Sequence, residues 1–169
     1  MAAPRIAAHR GGAALWPENS LAAFAGALAL GVDFLEFDVH QSADGEVVVI
    51  HDATLERTTE GTGAVGDQSA ATLRRLRLRD RNGALTDERV PLLDDVLALA
   101  SRAGAELLLE VKGPAFSVRY GRDAAGQLAI IPGAVYEGLE ARVLARLRAS
   151  GMTERTNVMA FNPAVITKI

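Results

Sequence analysis

Four short apolar runs in this chain each end in ionisable residues, and that recurrence restricts the fold more than any other feature. Arg5–Ala8 runs into His9-Arg10-Gly11-Gly12, and Phe34–Val39 carries Glu36 and Asp38. Val47–Ile50 ends at His51-Asp52, and Glu106–Lys112 carries Glu110 and Lys112. Asn157–Phe161 is a fifth strand candidate. Helix-spaced apolar residues lie between the runs. Leu21, Phe24, Ala25 and Leu28 form one set, with Asn19 or Ser20 as its cap and Gly31 as its stop. Leu93, Val96, Leu97 and Ala100 form a second, closed by Gly104, and Tyr136, Leu139, Val143 and Leu147 a third, ending near Gly151. Strands alternating with helices predict a parallel sheet. Ligands in such folds gather at the carboxyl ends of the strands, where these ionisable residues fall.

Phe34–Val39 shows why the residues matter. Period-two alternation turns Leu35, Phe37 and Val39 to one side and stacks Glu36 and Asp38 on the other. Taken alone, this is a strand with one solvated face, as in an antiparallel sheet. Glu106–Lys112 repeats the pattern, with Leu107, Leu109 and Val111 opposite Leu108, Glu110 and Lys112. Four consecutive strands ending in charge are better explained by a shared site, because charges are rarely buried unless paired or bound to a metal.

Two segments interrupt the rhythm. Residues 53–90 are rich in Thr, Gly and Arg and read as an insertion beside the main body, with one short helix near Ser69–Leu78. Pro114–Pro132 reads as a loop with a polar middle. Asp44-Gly45 marks a hairpin-like turn, and Val47–Ile50, lacking alternation, reads as a fully buried strand. With 169 residues, 49% hydrophobic, the chain can form one sizeable core. The net charge of −3 favours neither nucleic acid nor an anionic membrane. Arg74, Arg75, Arg77, Arg79 and Arg81 read as a solvated insertion surface. No cysteine is present, which excludes disulfides and thiolate metal sites. The opening residues, Met1 to Ile6, lack the apolar core of a signal peptide, and the run around Leu21–Leu30 is too short to span a bilayer. A soluble, cytoplasmic protein is the default expectation.

The chemistry follows from the donor types. Glu36, Asp38 and Glu110 offer only carboxylate oxygens, a set suited to Mg²⁺ or Ca²⁺. Arg10 and Lys112 add cations able to meet a phosphate. Histidine as a residue type changes charge near neutrality, so His9 and His51 can serve as acid and base; a role as metal ligands is also open to them. Asp52 reads as a cap for the turn past its strand. The kit suits phosphoester cleavage.

These residues resemble the glycerophosphodiester phosphodiesterase family. His9-Arg10-Gly11, Pro17-Glu18-Asn19-Ser20, Glu36-Phe37-Asp38-Val39 and His51-Asp52 are similar to its motifs in order and spacing. Leu55, Arg57-Thr58-Thr59, Gly61, Gly63 and Val65 resemble the stretch after its second histidine, and Glu110-Val111-Lys112 its later acid–x–lysine strand. Phe161-Asn162-Pro163 is a weaker match, with Ala160 where a serine is common.

The resemblance implies a (β/α)₈ barrel of α/β class with a small insertion after the third strand. It implies His9 and His51 as the acid–base pair, Glu36, Asp38 and Glu110 as ligands of a divalent cation, and Arg10 and Lys112 as phosphate contacts. Glu18 and Asn19 would shape the floor of the site, and Arg57 would hold its loop together. The implied substrate is a small-molecule phosphodiester. A related lipid-directed phospholipase and an inactive phosphate- or metal-binding domain are the competing functions. Such barrels need about 200–250 residues. This chain is therefore expected to be one incomplete barrel domain, 1–169, stopping after about five strands. Its open edge would be covered by a homo-oligomer partner or a missing C-terminal half.

Overall fold

The computed structural model describes residues 4–115 and 117–169. The first three residues of the stretch read against a leader, and residue 116 of the expected loop, lie outside the described residues. In chain order come β1 (Ala7–Ala8), α1 (Leu21–Ala29), β2 (Phe34–Gln41), β3 (Val47–Val49), α2 (Ala70–Leu73), β4 (Arg77–Arg79) and β5 (Leu85–Arg89). Then follow α3 (Leu93–Ala103), β6 (Glu106–Val111), β7 (Val118–Arg122), β8 (Leu128–Pro132), α4 (Leu139–Ala149), β9 (Thr156–Met159) and α5 (Pro163–Ile166).

The main sheet runs β1-β2-β6-β9, all parallel, with β3 added antiparallel to β2. This is the strand–helix order of a (β/α)₈ barrel, represented here by four parallel strands. One direction differs from the sequence reading. Val47–Ile50 does not continue the parallel series; it folds back on β2 through Asp44-Gly45, pairing Val39 with Val49 and Gln41 with Val47. Gly45 takes φ 83°, the left-handed backbone this reversal needs. His51 therefore reaches the site by a return along β2, not at the carboxyl end of a parallel strand.

The outer face of the sheet carries the main core. Leu35, Phe37 and Val39 of β2 and Leu107, Leu109 and Val111 of β6 are buried with Phe24 and Ala27 of α1, Val96 and Leu97 of α3, and Leu139, Val143 and Leu147 of α4. Each such large side chain contributes about 1.5–3 kcal/mol by leaving water. On α1 the buried face is Ala23, Phe24 and Ala27, rotated from the expected stripe; Leu21 and Ala25 are exposed. Ser20 is the cap, its hydroxyl accepting from the Ala23 amide at 3.0 Å.

Residues 53–90 surround a second apolar cluster of Val48, Ile50, Leu55, Val65, Leu73, Leu78 and Val90. Here β3 is shared: Val47 and Val49 face the main core while Val48 joins the second cluster. Both faces of β3 are thus covered, which accounts for its missing alternation. The short helix expected near Ser69–Leu78 ends at Leu73, and β4 pairs antiparallel with β5 beyond it.

Two further readings change. Residues 114–132 are not all loop: β7 and β8 form an antiparallel hairpin, with Tyr120 opposite Ile130. Tyr136 is not on the following helix, because Gly138 adopts φ 73° and α4 starts only at Leu139. No helix among the described residues is long and apolar enough to cross a membrane.

Candidate active site

The inner face of β2 and β6 brings the three carboxylates together. Parallel register sets Asp38 beside Glu110, and Glu36 lies two residues earlier on the same face. One oxygen from each lies within 4.8 Å of the others, and all three residues are buried. Lys112 follows β6, its amide donating to the Val39 carbonyl at 3.0 Å. Its ammonium lies 3.0 Å from Asp38 Oδ1 and 2.7 Å from Glu110 Oε1.

The turn after β1 supplies the next contacts. Arg10 and Asn19 both take positive φ, 52° and 57°, a conformation costing on the order of 1–3 kcal/mol outside glycine. They are tied to each other, the Asn19 amide donating to the Arg10 carbonyl at 3.0 Å. The strained turn aims the Arg10 amide at Glu36 Oε2, 2.6 Å away. Asn19 Nδ2 donates to Asp38 Oδ2 at 3.0 Å. Arg10 also pairs with Glu18 at 3.2 Å and lies 3.6 Å from Asp38. Gly11 permits this turn to sit on α1, since a Cβ there would lie 2.8 Å from that of Ala23.

The electrostatics separate the carboxylates. Burial, with the repulsion of Asp38 and Glu110, pushes Glu36 above its ordinary value despite the Arg10 amide. Burial also opposes ionisation of Asp38, but Lys112 and the Asn19 hydrogen bond outweigh it and hold that carboxyl below its usual range. The donor set fits a hard divalent cation. Asp38 Oδ1 and Glu110 Oε1 are buried and share one ammonium as their partner, and no sulfur or imidazole lies in the cluster.

Both histidines reach this end of the sheet. His9 sits exposed in the turn after β1, close enough to bear electrostatically on Glu36. His51 follows β3, and its Nδ1 lies 2.6 Å from Asp52 Oδ1. Asp52 is therefore not the expected cap. Its carboxylate orients the His51 ring and binds the Arg57 guanidinium, which holds it down to about 2. Arg57 continues to Glu18 through two bonds of 2.8 Å, so Arg10, Glu18, Arg57, Asp52 and His51 form one connected rim. This rim ties the segment after β3 to the turn after β1, the role expected of Arg57. A cavity of about 320 Å³ beside it is lined by His40, His51, Thr54, Lys112, Gly113 and Ser117.

Sequence reasoning passed over two of these groups. His40 is on the same face of β2 as Glu36 and Asp38, and the alternation that selected those two extends to it. It is 1% exposed, and burial pulls its imidazole down to about 4. Its Nε2 lies 3.0 Å from the His51 carbonyl and its Nδ1 3.0 Å from the Tyr136 hydroxyl. Tyr136 carried no signal, because its spacing fits the stripe of α4.

A partial β/α barrel with carboxylates, cations and two histidines at one end of its sheet defines a class of phosphate-handling barrel. The chain belongs to the glycerophosphoryl diester phosphodiesterase family, whose sequence profile matches residues 9–129. A glycerophosphodiester phosphodiesterase of Caldanaerobacter subterraneus subsp. tengcongensis is 32% identical over 158 residues, 93% of this chain and 58% of that protein. The crystal structure of a glycerophosphodiester phosphodiesterase from Agrobacterium tumefaciens superposes with a TM-score of 0.77 at 32% identity, covering 98% of this chain and 61% of that one. A phosphodiesterase from Oleispira antarctica, solved with the product sn-glycerol-3-phosphate, gives a TM-score of 0.75 at 27% identity, covering 97% and 60%. The chain thus spans about three fifths of the length of these relatives.

Proposed function

We propose that this chain carries the catalytic face of a metal-dependent phosphodiesterase that hydrolyses glycerophosphodiesters to an alcohol and glycerol phosphate. The observation that carries the reading is the convergence of Glu36, Asp38 and Glu110 beside Lys112, at the end of the sheet where His9 and His51 lie. The product complex of the Oleispira relative supports a glycerol phosphate half in the substrate.

Glu36, Asp38 and Glu110 would hold the cation, Mg²⁺ or Ca²⁺, which when bound supplies positive charge to the phosphoryl oxygens. Arg10 and Lys112 bind the same diester from the protein side. One histidine, neutral, takes the proton of the attacking hydroxyl or water as the new P–O bond forms. The other, protonated, gives its proton to the departing alcohol oxygen as the old P–O bond breaks. Asp52 at Nδ1 leaves His51 Nε2 as the exchanging nitrogen. On this reading residues 1–169 form one catalytic unit, with 53–90 as a piece inserted in it. Among the described residues β1 and β9 pair on one side only. Further barrel strands or a second copy would cover those edges.

The test is hydrolysis of glycerophosphocholine beside intact phosphatidylcholine, with and without chelator. Metal-dependent release of glycerol phosphate from the first alone is expected. Cleavage of the intact lipid alone would replace this reading with a lipid-directed phospholipase. Cation binding without cleavage of either would leave a non-catalytic binding domain.

A further inference from the structure

His40 makes two directed contacts from a fully buried position, and neither is to the carboxylate cluster beside it. The His51 carbonyl can only accept a hydrogen bond, so the proton between them sits on His40 Nε2. In a neutral ring Nδ1 is then unprotonated and accepts from the Tyr136 hydroxyl. Tyr136 stands edge-on to the same ring, with centroids 5.7 Å apart and planes at 83°. Among the described residues no turn or loop amide donates to the His51 carbonyl.

Tyr136 is itself fixed. Gly66 faces its ring so closely that a Cβ there would lie 3.3 Å from Tyr136 Cε1. Gly113 packs on the same segment, where a Cβ would lie 2.3 Å from the Ala134 carbonyl oxygen. Asn162 Nδ2 donates to the Gly133 carbonyl at 2.9 Å. The segment that presents Tyr136 is thus gripped from residues 66, 113 and 162.

We propose that His40 is a positioning residue for His51: its Nε2–H clamps the His51 carbonyl, and the Tyr136 hydroxyl, donating to Nδ1, holds the ring that makes the clamp. The inference rests on the reading of His51 as an acid–base group. Asp52 holds the His51 ring through Nδ1, and His40 holds the main chain from which that ring projects. With both ends fixed, Nε2 of His51 has one direction to face. Misplacing a reacting group by about 1 Å can cost on the order of 10² in rate.

The experiment compares His40→Leu, His40→Gln and Tyr136→Phe with the unaltered chain by two readouts. The first is the ¹⁵N spectrum of the imidazole rings at pH 7, which reports tautomers without requiring turnover. His40 should show the Nε2–H tautomer, and in Tyr136→Phe its Nδ1 signal should shift as that hydrogen bond is lost while the Nε2–H tautomer persists. The His51 amide and ring signals should shift or broaden in His40→Leu and stay in place in His40→Gln, whose amide can donate to the carbonyl and accept from Tyr136.

The second readout is hydrolysis of glycerophosphocholine. His40→Leu should lower kcat by about 10- to 100-fold and leave KM within about threefold, with His40→Gln recovering most of the loss. An Nδ1–H tautomer of His40 in the unaltered chain would overturn the proposal. So would equal behaviour of the folded Leu and Gln variants. If His40→Leu fails to fold, Tyr136→Phe and His40→Gln decide by the same two readouts. Full turnover in His51→Ala would instead sink the acid–base reading, and the tautomer result would show that failure to be separate.

Discussion

Glu36→Gln separates charge from shape at the carboxylate cluster. The Gln oxygen can still accept from the Arg10 amide, now 2.6 Å from Glu36 Oε2, so the turn after β1 keeps its tie. What is lost is one negative charge within 4.8 Å of two others. At that separation each like-charge pair repels by about 3 kcal/mol at an effective dielectric constant of about 20. Lys112 offsets this for Asp38 and Glu110 directly, at 3.0 and 2.7 Å. Glu36 is met instead by a main-chain amide.

The sign follows from the raised pKa of Glu36. A carboxyl whose folded value lies above its unfolded one favours the fold below the unfolded value, and that gain is lost as pH rises through the folded value. At pH 7 the ionised Glu36 is therefore a liability in the metal-free protein. Glu36→Gln should leave the metal-free Tm unchanged or raise it. The cation should reverse the order. At 100 times its Kd a bound ion stabilises by about 2.7 kcal/mol, or about 5–11 °C in Tm for a chain of this size. Losing one ligand of three should weaken binding by about 100-fold and reduce that shift to about 1–2 °C at the same concentration. Thermal unfolding with and without Mg²⁺ or Ca²⁺ measures both. A metal-free Tm that falls by several degrees, or a full metal shift in the variant, would refute the reasoning.

Three further outcomes are expected. His9→Ala and His51→Ala should each lower kcat/KM on glycerophosphocholine by about 10² to 10⁴ and flatten one limb of a bell-shaped pH profile. The metal-induced Tm shift should persist in both, and its loss in either would make that histidine a ligand. Asp52, held at about 2 against an ordinary 3.8, stabilises the fold above pH 4, and this is lost as pH falls toward 2. Screening at its partly exposed side chain reduces the contribution to about 1 kcal/mol, so urea unfolding should find Asp52→Asn less stable at pH 6 with the gap narrowing as pH falls toward 2; a constant gap would count against it. Gly113→Ala should destabilise by about 1–3 kcal/mol in the same assay, because its Cβ would meet the Ala134 oxygen at 2.3 Å, and an unaltered midpoint would show that the segment yields.

Much of the architecture is legible in the sequence, and the reason is periodicity. Glu36 and Asp38 were conspicuous because alternation set them against Leu35, Phe37 and Val39, and the sheet uses that division between inner face and outer core. The direction of β3 was not legible. Three valines buried on both faces carry no mark of which way they run, and Asp44-Gly45 was the available hint. The β7–β8 hairpin escaped for the opposite reason: Tyr120, Leu128 and Ile130 are exposed, so no polar–apolar contrast marks its strands. Asp52 was misread because a carboxylate after a strand suits a cap as well as a histidine partner. Its true contacts depend on Arg57, five residues on, and through it on Glu18. His40 was within reach of the same alternation that found Asp38. Its Nδ1 partner is Tyr136, 96 residues away, a pairing that only tertiary structure makes.

The central claim is that one cation sits among Glu36, Asp38 and Glu110 while the two histidines stay free for proton transfer. Diffraction from crystals soaked in Mn²⁺, a redox-stable stand-in with a strong anomalous signal, tests it most directly. A single strong peak is expected, with an oxygen of each of the three carboxylates at about 2.0–2.6 Å and no imidazole nitrogen within that range. A peak bonded to His9 or His51, or one that leaves the three carboxylates without a metal, would contradict it.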